Sequence, residues 1–502
     1  MNLKSGETIR QKIHYFMPLV SVLFLLILTF IFSFQCRPNF WSNEEAETDS
    51  SVFRTIAMMM DRGYMPYRDT FDHKGPLIYL LNWIGLKISY YRGILIIECI
   101  FLFFTFFFIY KIIRMFCRRW MSYGMMLVIT AALYPQLDGG NKTEEYAMLF
   151  IAVSLLFYTK YFLYSNILFW QVILCGACFG AVCLLRPNMV AVWAVFSIAV
   201  LIKCICEKRY KEIGKFLLLF LAGTAVVLMP AVLWLCGEGA FADCINDYIL
   251  FNLRYSETGV QQKGAQINAI MSFMSAPLIL CMMVTVTHLL KGNRNYLTFG
   301  YAVCFVVSLY AMTISGRSFV HYAMVLIPLY AYPLGILGNW FEKVLYGKSL
   351  DFLLCIYIYL IGILALPNWL MGINHMIDSY GYRDKDNRGE ATANVVSYIE
   401  KHTEEDEKIT VWGNWDIIYV LSQRLPATQY SYQSPIGTVD PKIYDEYFAG
   451  LAEEAPGLII VKKDGTEKMM MDFIEEYEYQ KVFENVSNVT VEIYRNPQRD
   501  EE

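Results

Sequence analysis

The sequence predicts an all-α polytopic membrane domain of about 11 transmembrane helices, followed by a small extracytoplasmic α/β domain. Of the 502 residues, 56% are hydrophobic and 18% are charged, and the mean hydropathy is +0.37. A water-soluble globule does not bury that much apolar surface. The long apolar runs stop near Met371, and the remainder has the composition of a soluble domain. We therefore predict a membrane domain at 1–371 and a soluble domain at 372–502.

The charge pattern sets the predicted topology, because Lys and Arg in short loops mark the cytoplasmic side. Counting every apolar run as a span puts the basic stretch 111–119 outside. The conflict disappears if residues 76–90, a short run containing Asn82 and Lys87, lie in the interface instead of crossing. The predicted spans lie near 15–34, 93–115, 121–136, 146–163, 167–185, 189–205, 216–236, 269–290, 296–314, 320–340 and 351–371.

This topology predicts a multi-pass plasma-membrane protein with a cytoplasmic N-terminus and an extracytoplasmic C-terminal domain. The first apolar run ends without a small-residue cleavage site, so we expect it to remain as a span. The net charge of −4 and the absence of a basic patch interleaved with aromatic residues exclude nucleic acid as a partner. Polar stretches collect on the extracytoplasmic side, which favours an active surface there: 35–92, 138–145, 186–188, 237–268 and 315–319.

The first extracytoplasmic loop, residues 35–92, contains a short predicted helix. Apolar residues in 50–61 recur at i, i+4, i+7 and i+8, which is typical of an amphipathic helix. Asp49 precedes this helix. Its carboxylate can cap the helix, or it can act as a general base held rigidly near the membrane surface, and the two roles are compatible.

Five ionisable residues lie within the seven positions 68–74. Charges at the level of lipid headgroups are costly unless they pair or bind a ligand. Lys74, next to the predicted interfacial helix, is placed to meet a lipid phosphate as a point charge.

The loop also carries a family resemblance. The pattern D-S-S-x-F, followed by G-x-x-P-Y-R-D-x-F-D-H-K-G-P-L-I-Y, resembles the first extracytoplasmic loop of bacterial GT-C superfamily glycosyltransferases, in the branch of protein O-mannosyltransferases and lipid A aminoarabinose transferases. Three further motifs support the resemblance and extend it over most of the membrane domain: GGNKTEEYA at 139–147, LLRPN at 184–188 and GRSFVHY at 316–322.

The resemblance implies a GT-C-like fold, a polyprenyl-phosphate-linked sugar as donor, transfer outside the cytoplasm and a first-loop Asp as catalytic base. Asp49 occupies that position. Relatives often carry a second acid directly after it, whereas this chain has Ser50, which leaves Glu144 or Glu145 as candidates for the other carboxylate. A Glu-Lys pair of the aminoarabinose branch is replaced by His73 and Lys74, so Lys74 carries over as the phosphate contact.

The implied chemistry needs a base for the acceptor hydroxyl and positive charge for the departing phosphate. Asp49 fits the first need. Lys74, Arg317 and His321 fit the second, and the last two lie four residues apart, on one face if a helix starts there. A divalent cation is a candidate cofactor, but the sequence shows no compact ligand set, so the metal stays open.

Other residues keep two interpretations. Asn141 and Glu145 can belong to the site or can cap the span that starts at Tyr146, and Arg186 can belong to the site or anchor the chain at the interface. Glu98, inside a span, is expected to pair within the bundle or to face the donor cavity. The predicted site comprises the base Asp49; the phosphate or donor contacts Lys74, His73, Arg317 and His321; the supporting acids Asp69, Asp72, Glu144 and Glu145; and Asn141, Arg186 and Asn188.

We therefore predict a glycosyltransferase, hexosyl or pentosyl, whose partners are a polyprenyl-phosphate sugar lipid, an envelope glycan, lipid or protein acceptor, and membrane lipids. The alternative is a transporter or flippase for lipid-linked saccharides, which would place ionisable residues at the bilayer midplane and show internal repeats. In the C-terminal domain we predict helices at 388–402 and 442–454 and strands at 408–414, 457–463 and in the last 25 or so residues.

Overall fold

The computed structural model describes residues 3–42, 49–165, 168–260, 264–345, 352–381, 383, 389–463, 465–486 and 490–497. Up to Gly381 the described chain is mainly helical, and 3₁₀ or π segments lie between the α-helices at Tyr134–Gln136, Pro187–Met189, Ile245–Leu250 and Val320–Tyr330. The α-helices of this part are α1 Leu3–Ser33, α2 Asp49–Asp61, α3 Pro76–Ile88, α4 Gly93–Ile113, α5 Arg119–Leu133, α6 Thr143–Tyr164, α7 Phe169–Cys183, α8 Ala191–Cys206, α9 Tyr210–Gly237, α10 Phe241–Cys244, α11 Phe251–Val260, α12 Ala265–Phe273, α13 Ala276–Leu290, α14 Tyr296–Met312, α15 Ala331–Leu345 and α16 Phe352–Gly381.

The described helices make this a multi-pass membrane protein, but they do not confirm eleven spans. Four helical segments are long and apolar enough to cross a bilayer: Gly93–Ile113, Thr143–Tyr164, Tyr210–Gly237 and Val320–Leu345. The pair α12 and α13, bent by 83°, gives a fifth if it is one broken span. Several predicted spans correspond to shorter apolar helices, namely Met17–Ser33, Phe169–Cys183, Ala191–Cys206 and Tyr296–Met312. The orientation of the termini stays a prediction.

Helices α2 and α3 build the first loop. Helix α2 begins at Asp49, one residue before the predicted start, and buries Phe53, Ile56 and Met59. Helix α3 has 13 residues, which at 1.5 Å per residue spans about 20 Å, well short of the roughly 30 Å hydrocarbon core. This length fits the predicted interfacial position of α3, which stays a prediction.

A four-stranded sheet forms the C-terminal part. Its strands are β1 Ile409–Trp412, β2 Leu458–Lys462, β3 Gln480–Val486 and β4 Thr490–Arg495, and they lie in the order β1-β2-β4-β3. Strands β1 and β2 are parallel, and the other two pairings are antiparallel. Each strand falls inside a stretch that the sequence predicted as strand. The elements are α17 Glu390–His402, β1 Ile409–Trp412, α18 Ile417–Ser422, α19 Ser434–Gly437, α20 Lys442–Glu454, β2 Leu458–Lys462, α21 Lys468–Glu476, β3 Gln480–Val486 and β4 Thr490–Arg495.

The sheet part docks directly onto the first loop. Met58 and Met59 of α2 belong to the same hydrophobic cluster as Ile418 of α18. The Phe71 N–H donates a 2.8 Å hydrogen bond to the Gln429 carbonyl. Apolar burial and a backbone hydrogen bond both stabilise this contact. The first loop therefore contacts the sheet part on one side and the membrane helices on the other.

Candidate active site

A cavity of about 450 Å³ lies where the first loop, the loop before α6, the segment before Val320 and the sheet part meet. Among the described residues that line it, four are Lys or Arg and four are Asp, although they come from distant parts of the chain. The lining residues are Asp49, Ser51, Val52, Phe53, Asp72, His73, Lys74, Asp138, Lys142, Arg186, Tyr255, Arg317, Phe319, His321, Tyr322, Asn414, Asp416, Tyr432 and Pro435.

Asp49 opens helix α2 at the cavity wall. Burial alone would raise the pKa of its carboxyl, but the positive charges of Lys74 and Lys142 outweigh burial and hold the pKa well below its ordinary value. A helix N-terminus also favours a carboxylate. Asp49 is therefore ionised and surrounded by positive charge.

His73 and Lys74 lie side by side, with Lys74 Nζ 3.0 Å from His73 Nε2. Burial, followed by the Lys74 charge, lowers the pKa of His73 to about 3. The imidazole is therefore neutral at physiological pH, and its Nε2 accepts a hydrogen bond from the Lys74 ammonium. Burial opposes the charge on Lys74, but Asp49 and Asp72 prevail and raise its pKa. Lys74, only 9% exposed, therefore stays a cation inside the cavity.

Asp72 holds the first loop and the sheet part together. Its Oδ2 accepts a 2.9 Å hydrogen bond from the Tyr79 hydroxyl, and its Oδ1 accepts one of 2.7 Å from the Tyr432 hydroxyl. Oδ1 also accepts a 2.8 Å hydrogen bond from the His73 backbone N–H. With both oxygens engaged, Asp72 fixes the backbone that presents His73 and Lys74.

Arg186 enters the cavity wall from the LLRPN motif. Its Nη1 donates a 2.6 Å bond to Glu144 Oε1, and its Nη2 donates a 2.9 Å bond to the Tyr322 hydroxyl. The guanidinium also lies 4.2 Å from the Tyr322 ring centroid. Glu144 does not line the cavity itself. It contacts Arg186, which does, and therefore orients the Arg186 guanidinium.

Arg317 and His321 both line the cavity, although not for the reason that their spacing suggested. The helical turn begins at Val320, so Arg317 precedes it. The Arg317 guanidinium lies over the Tyr255 ring at 4.0 Å. His321 Nδ1 lies 3.3 Å from Asp138 Oδ2, and this contact, opposed by burial, lowers the pKa of Asp138.

Besides Glu144, four more of the predicted residues lie outside the cavity lining. Asp69 forms a 2.8 Å ion pair with Arg68 and accepts a 2.7 Å bond from the Met65 N–H. The Asn141 side chain donates to Ser50 Oγ and Asn82 Oδ1 within the buried interior. Glu145 and Asn188 are absent from the lining residues as well.

The sequence reasoning missed Asp416 and Tyr432 of the sheet part, together with Asp138 and Lys142 of the GGNKTEE loop. Asp416 is buried, and its Oδ1 has no hydrogen-bond partner among the described residues. A signal was present, because Asn414 and Asp416 follow the carboxyl end of β1, where polar side chains often serve a site.

Asp416 gives the fold a testable pH dependence. Burial raises its pKa to about 7, whereas an unfolded Asp titrates near 4. The folded state therefore retains a proton that the unfolded state releases, and this contribution to stability is lost as the pH rises from about 4 through 7. We expect Asp416→Asn, which mimics the neutral acid, to reduce the fall of melting temperature with rising pH in the purified full chain. The exposed control Asp406→Asn should leave that fall unchanged, and an identical pH dependence in all three proteins would contradict the assignment.

The described residues that line the cavity offer no compact set of ligands for a catalytic cation. Among the described residues, the one group of three His, Cys, Asp or Glu side chains close enough to share an ion is Cys36, Glu98 and Glu145, outside the lining. Lys74 and Lys142 supply the positive charge next to Asp49, so we derive no catalytic step through a metal.

Solved structures share this fold. ArnT from Cupriavidus metallidurans, bound to undecaprenyl phosphate, aligns with a TM-score of 0.61 and 11% identity over 95% of this chain and 98% of that chain. Its apo form aligns with a TM-score of 0.59 and 10% identity over 95% and 97%. The oligosaccharyltransferase AglB from Archaeoglobus fulgidus, in complex with an inhibitory peptide and a dolichol-phosphate, aligns with a TM-score of 0.53 and 14% identity over 97% and 75%. Because ArnT and AglB are GT-C proteins, the predicted resemblance to that superfamily is confirmed at the level of the fold.

The sequence also matches a family model. No curated protein matches the chain. The model of the putative competence-induced protein Ccs4 N-terminal domain matches residues 11–339, which is more than half of the 502 residues. The chain therefore belongs to the family of the putative competence-induced protein Ccs4 N-terminal domain.

Proposed function

We propose that this protein is a membrane glycosyltransferase that moves a sugar from a polyprenyl-phosphate donor to an acceptor at the extracytoplasmic face, with Asp49 as general base. One observation carries the proposal: Asp49 shares a cavity with Lys74, Lys142, Arg186 and Arg317. This combination of a carboxylate and preorganised cations is what transfer from a phosphate leaving group requires.

The proposed reaction is a displacement at the anomeric carbon of the donor. The acceptor hydroxyl oxygen forms the new bond to that carbon, its proton passes to Asp49, and the bond between the carbon and the phosphate oxygen breaks. The electron pair leaves on the phosphate, whose growing charge is stabilised by Lys74 and the neighbouring cations. Arg186, oriented by Glu144, is positioned to bind a phosphate or a sugar oxygen.

The donor phosphate also improves Asp49 as a base. In the free enzyme Lys74 and Lys142 depress the pKa of Asp49, which weakens it as a proton acceptor. A bound phosphate brings negative charge to the same lysines, offsets their effect and raises the pKa of Asp49. The base therefore becomes effective only when the donor is present.

An apolar groove of about 590 Å³ suits the polyprenyl chain. It runs between the first loop and helix α9, and Leu77, Leu80, Trp83, Val227 and Trp234 are among its lining residues. Lys74 in the cavity and Leu77 in the groove are three residues apart, so a lipid phosphate at Lys74 has an apolar surface close by for its tail. The undecaprenyl phosphate of ArnT and the dolichol-phosphate of AglB are carriers of the same class, which supports this donor for a chain of the same fold.

The sheet part is proposed to help hold the acceptor, since it contributes Asn414, Asp416 and Tyr432 to the lining. Asp416 lines the cavity, and its Oδ1, which has no partner among the described residues, is proposed to bond to a sugar or acceptor hydroxyl.

Mass spectrometry tests the function whichever sugar is transferred. The purified full chain is incubated with total lipid extract and envelope glycans from membranes that lack the protein. We expect wild-type protein to consume one polyprenyl-phosphate sugar, release the free polyprenyl phosphate and add one sugar to an envelope molecule. Translocation of a lipid-linked sugar in vesicles without any bond cleavage would instead show a flippase and contradict the proposal.

A further inference from the structure

Three buried side chains outside the cavity converge where helices α1, α4 and α6 begin or end. Cys36 lies just after α1, Glu98 lies in the first turns of α4, and Glu145 lies in the first turn of α6. Their exposed fractions are 0%, 1% and 0%. One ligand atom from each, the Sγ and two carboxylate oxygens, lie within 4.8 Å of one another.

Three of the four oxygens of these two carboxylates lack the partners that burial demands. Glu98 Oε2 and both Glu145 oxygens have no hydrogen-bond partner among the described residues. Within the same part of the chain, no Lys, Arg or His forms an ion pair with either group. Buried carboxylates are paired, coordinate a metal or give up their charge.

The backbone closes tightly around this cluster. The Asn141 N–H donates to Glu98 Oε1, and the Arg37 N–H donates a 2.8 Å bond to the Gly139 carbonyl. Gly140 adopts a φ of 78°, and a Cβ added there would lie 2.3 Å from Glu98 Oε1 and 3.0 Å from Cys36 Sγ. The glycine loop is thus wrapped around the three side chains, whose ligand atoms lie within 4.8 Å of one another.

We propose that Cys36, Glu98 and Glu145 bind a structural Zn²⁺ ion. A thiolate with two carboxylates suits zinc, whose bonds of about 2.3 Å to sulfur and 2.0–2.2 Å to oxygen place tetrahedral ligands roughly 3.4–3.6 Å apart. Moving the ligands to that spacing requires side-chain shifts on the order of 1 Å. A water takes the fourth position, and binding releases the thiol proton of Cys36.

The ion ties the loop between α5 and α6 to two other helices. The loop between α5 and α6 carries Asp138 and Lys142, which line the cavity, whereas Cys36 follows the end of α1 and Glu98 belongs to α4. The zinc ligands therefore act as positioning residues for the cavity wall and do not touch the reacting atoms. The site stands independently of the proposed transfer activity.

Metal analysis of the full-length, detergent-purified protein tests the site. After chelation, reloading with Zn²⁺ and desalting, we expect about one zinc per chain in wild type and a loss of at least tenfold in occupancy in Cys36→Ser, Glu98→Gln and Glu145→Gln. Zinc should also raise the melting temperature of wild type and not of these variants. Cys99→Ser, which changes the neighbouring thiol outside the cluster, and Asp49→Asn, in the cavity, should both keep the metal.

Cobalt gives a second readout, which reports the sulfur ligand directly. The Co²⁺-loaded wild type should show thiolate-to-cobalt charge-transfer absorption, because Cys36 supplies a sulfur ligand. The same absorption should remain in Cys99→Ser and vanish in Cys36→Ser. Wild-type protein without bound zinc after reloading, or variants with undiminished zinc, would overturn the proposal and show that protons neutralise the cluster.

Discussion

Replacing Asp49 with Asn is expected to lower the rate of sugar transfer by about 100- to 10,000-fold, the usual contribution of a general base. Asn keeps the size of the side chain, so the fold should survive while the proton acceptor is lost. Initial rates of purified wild type and variant, measured at saturating donor, give the ratio. The loss should appear in kcat, because Asp49 acts on the acceptor proton in the transition state.

Asp61→Asn is the matched control, because Asp61 closes the same helix. It pairs with Lys87 and accepts from the Trp83 indole on the outer side of the loop. We expect its rate to stay within about twofold of wild type, since exposed pairs contribute little. Undiminished transfer by a folded Asp49→Asn variant would rule out Asp49 as the base.

Replacing Lys74 with Gln is expected to lower kcat/KM by about 100- to 1000-fold, which is typical for the loss of one preorganised group that stabilises developing charge. The cation is buried beside Asp49 and Asp72, whose charges raise its pKa, so at neutral pH the wild type presents a full positive charge to the donor phosphate. Steady-state kinetics at varied donor concentration, with Lys87→Gln outside the cavity as control, measure the effect.

Lys74→Gln should also change the pH profile in a defined direction. Lys74 is the leading charge that lowers the pKa of Asp49, so its removal raises that pKa, and the acid limb of kcat/KM moves to higher pH. Loss of a merely structural lysine would lower the rate at every pH without moving the limb. A reduced rate with an unshifted limb therefore contradicts the electrostatic role.

Local sequence patterns predicted the part of the site that lies on contiguous chain. Helix α2 follows from its apolar spacing, and Asp49, His73 and Lys74 lie on one loop whose turn residues and docking aromatics keep them together. The interfacial position of α3 rests on charge bias, which constrains topology more strongly than an apolar run of 15 residues does, and it stays a prediction. The assigned roles of these residues stay predictions.

Other parts depended on tertiary structure. Asp416 and Tyr432 reach the cavity only because the sheet part docks on α2, a contact between residues more than 350 positions apart, such as Thr55 and Asp416. Glu144 and Glu145 are neighbours in sequence, but adjacent helical residues point about 100° apart. Glu144 therefore meets Arg186 while Glu145 meets Glu98 and Cys36. The number of spans is not confirmed by the described long helices, since several predicted spans correspond to shorter or bent helices and hydropathy does not reveal where a helix breaks.

A structure of the full chain with undecaprenyl phosphate is the most direct test of the central claim. We expect the phosphate to lie in the cavity within hydrogen-bond distance of Lys74 Nζ, next to Asp49, with the lipid chain in the groove between the first loop and α9. A well-ordered lipid whose phosphate lies elsewhere, with the cavity left to solvent, would contradict a site that transfers sugars from polyprenyl phosphate.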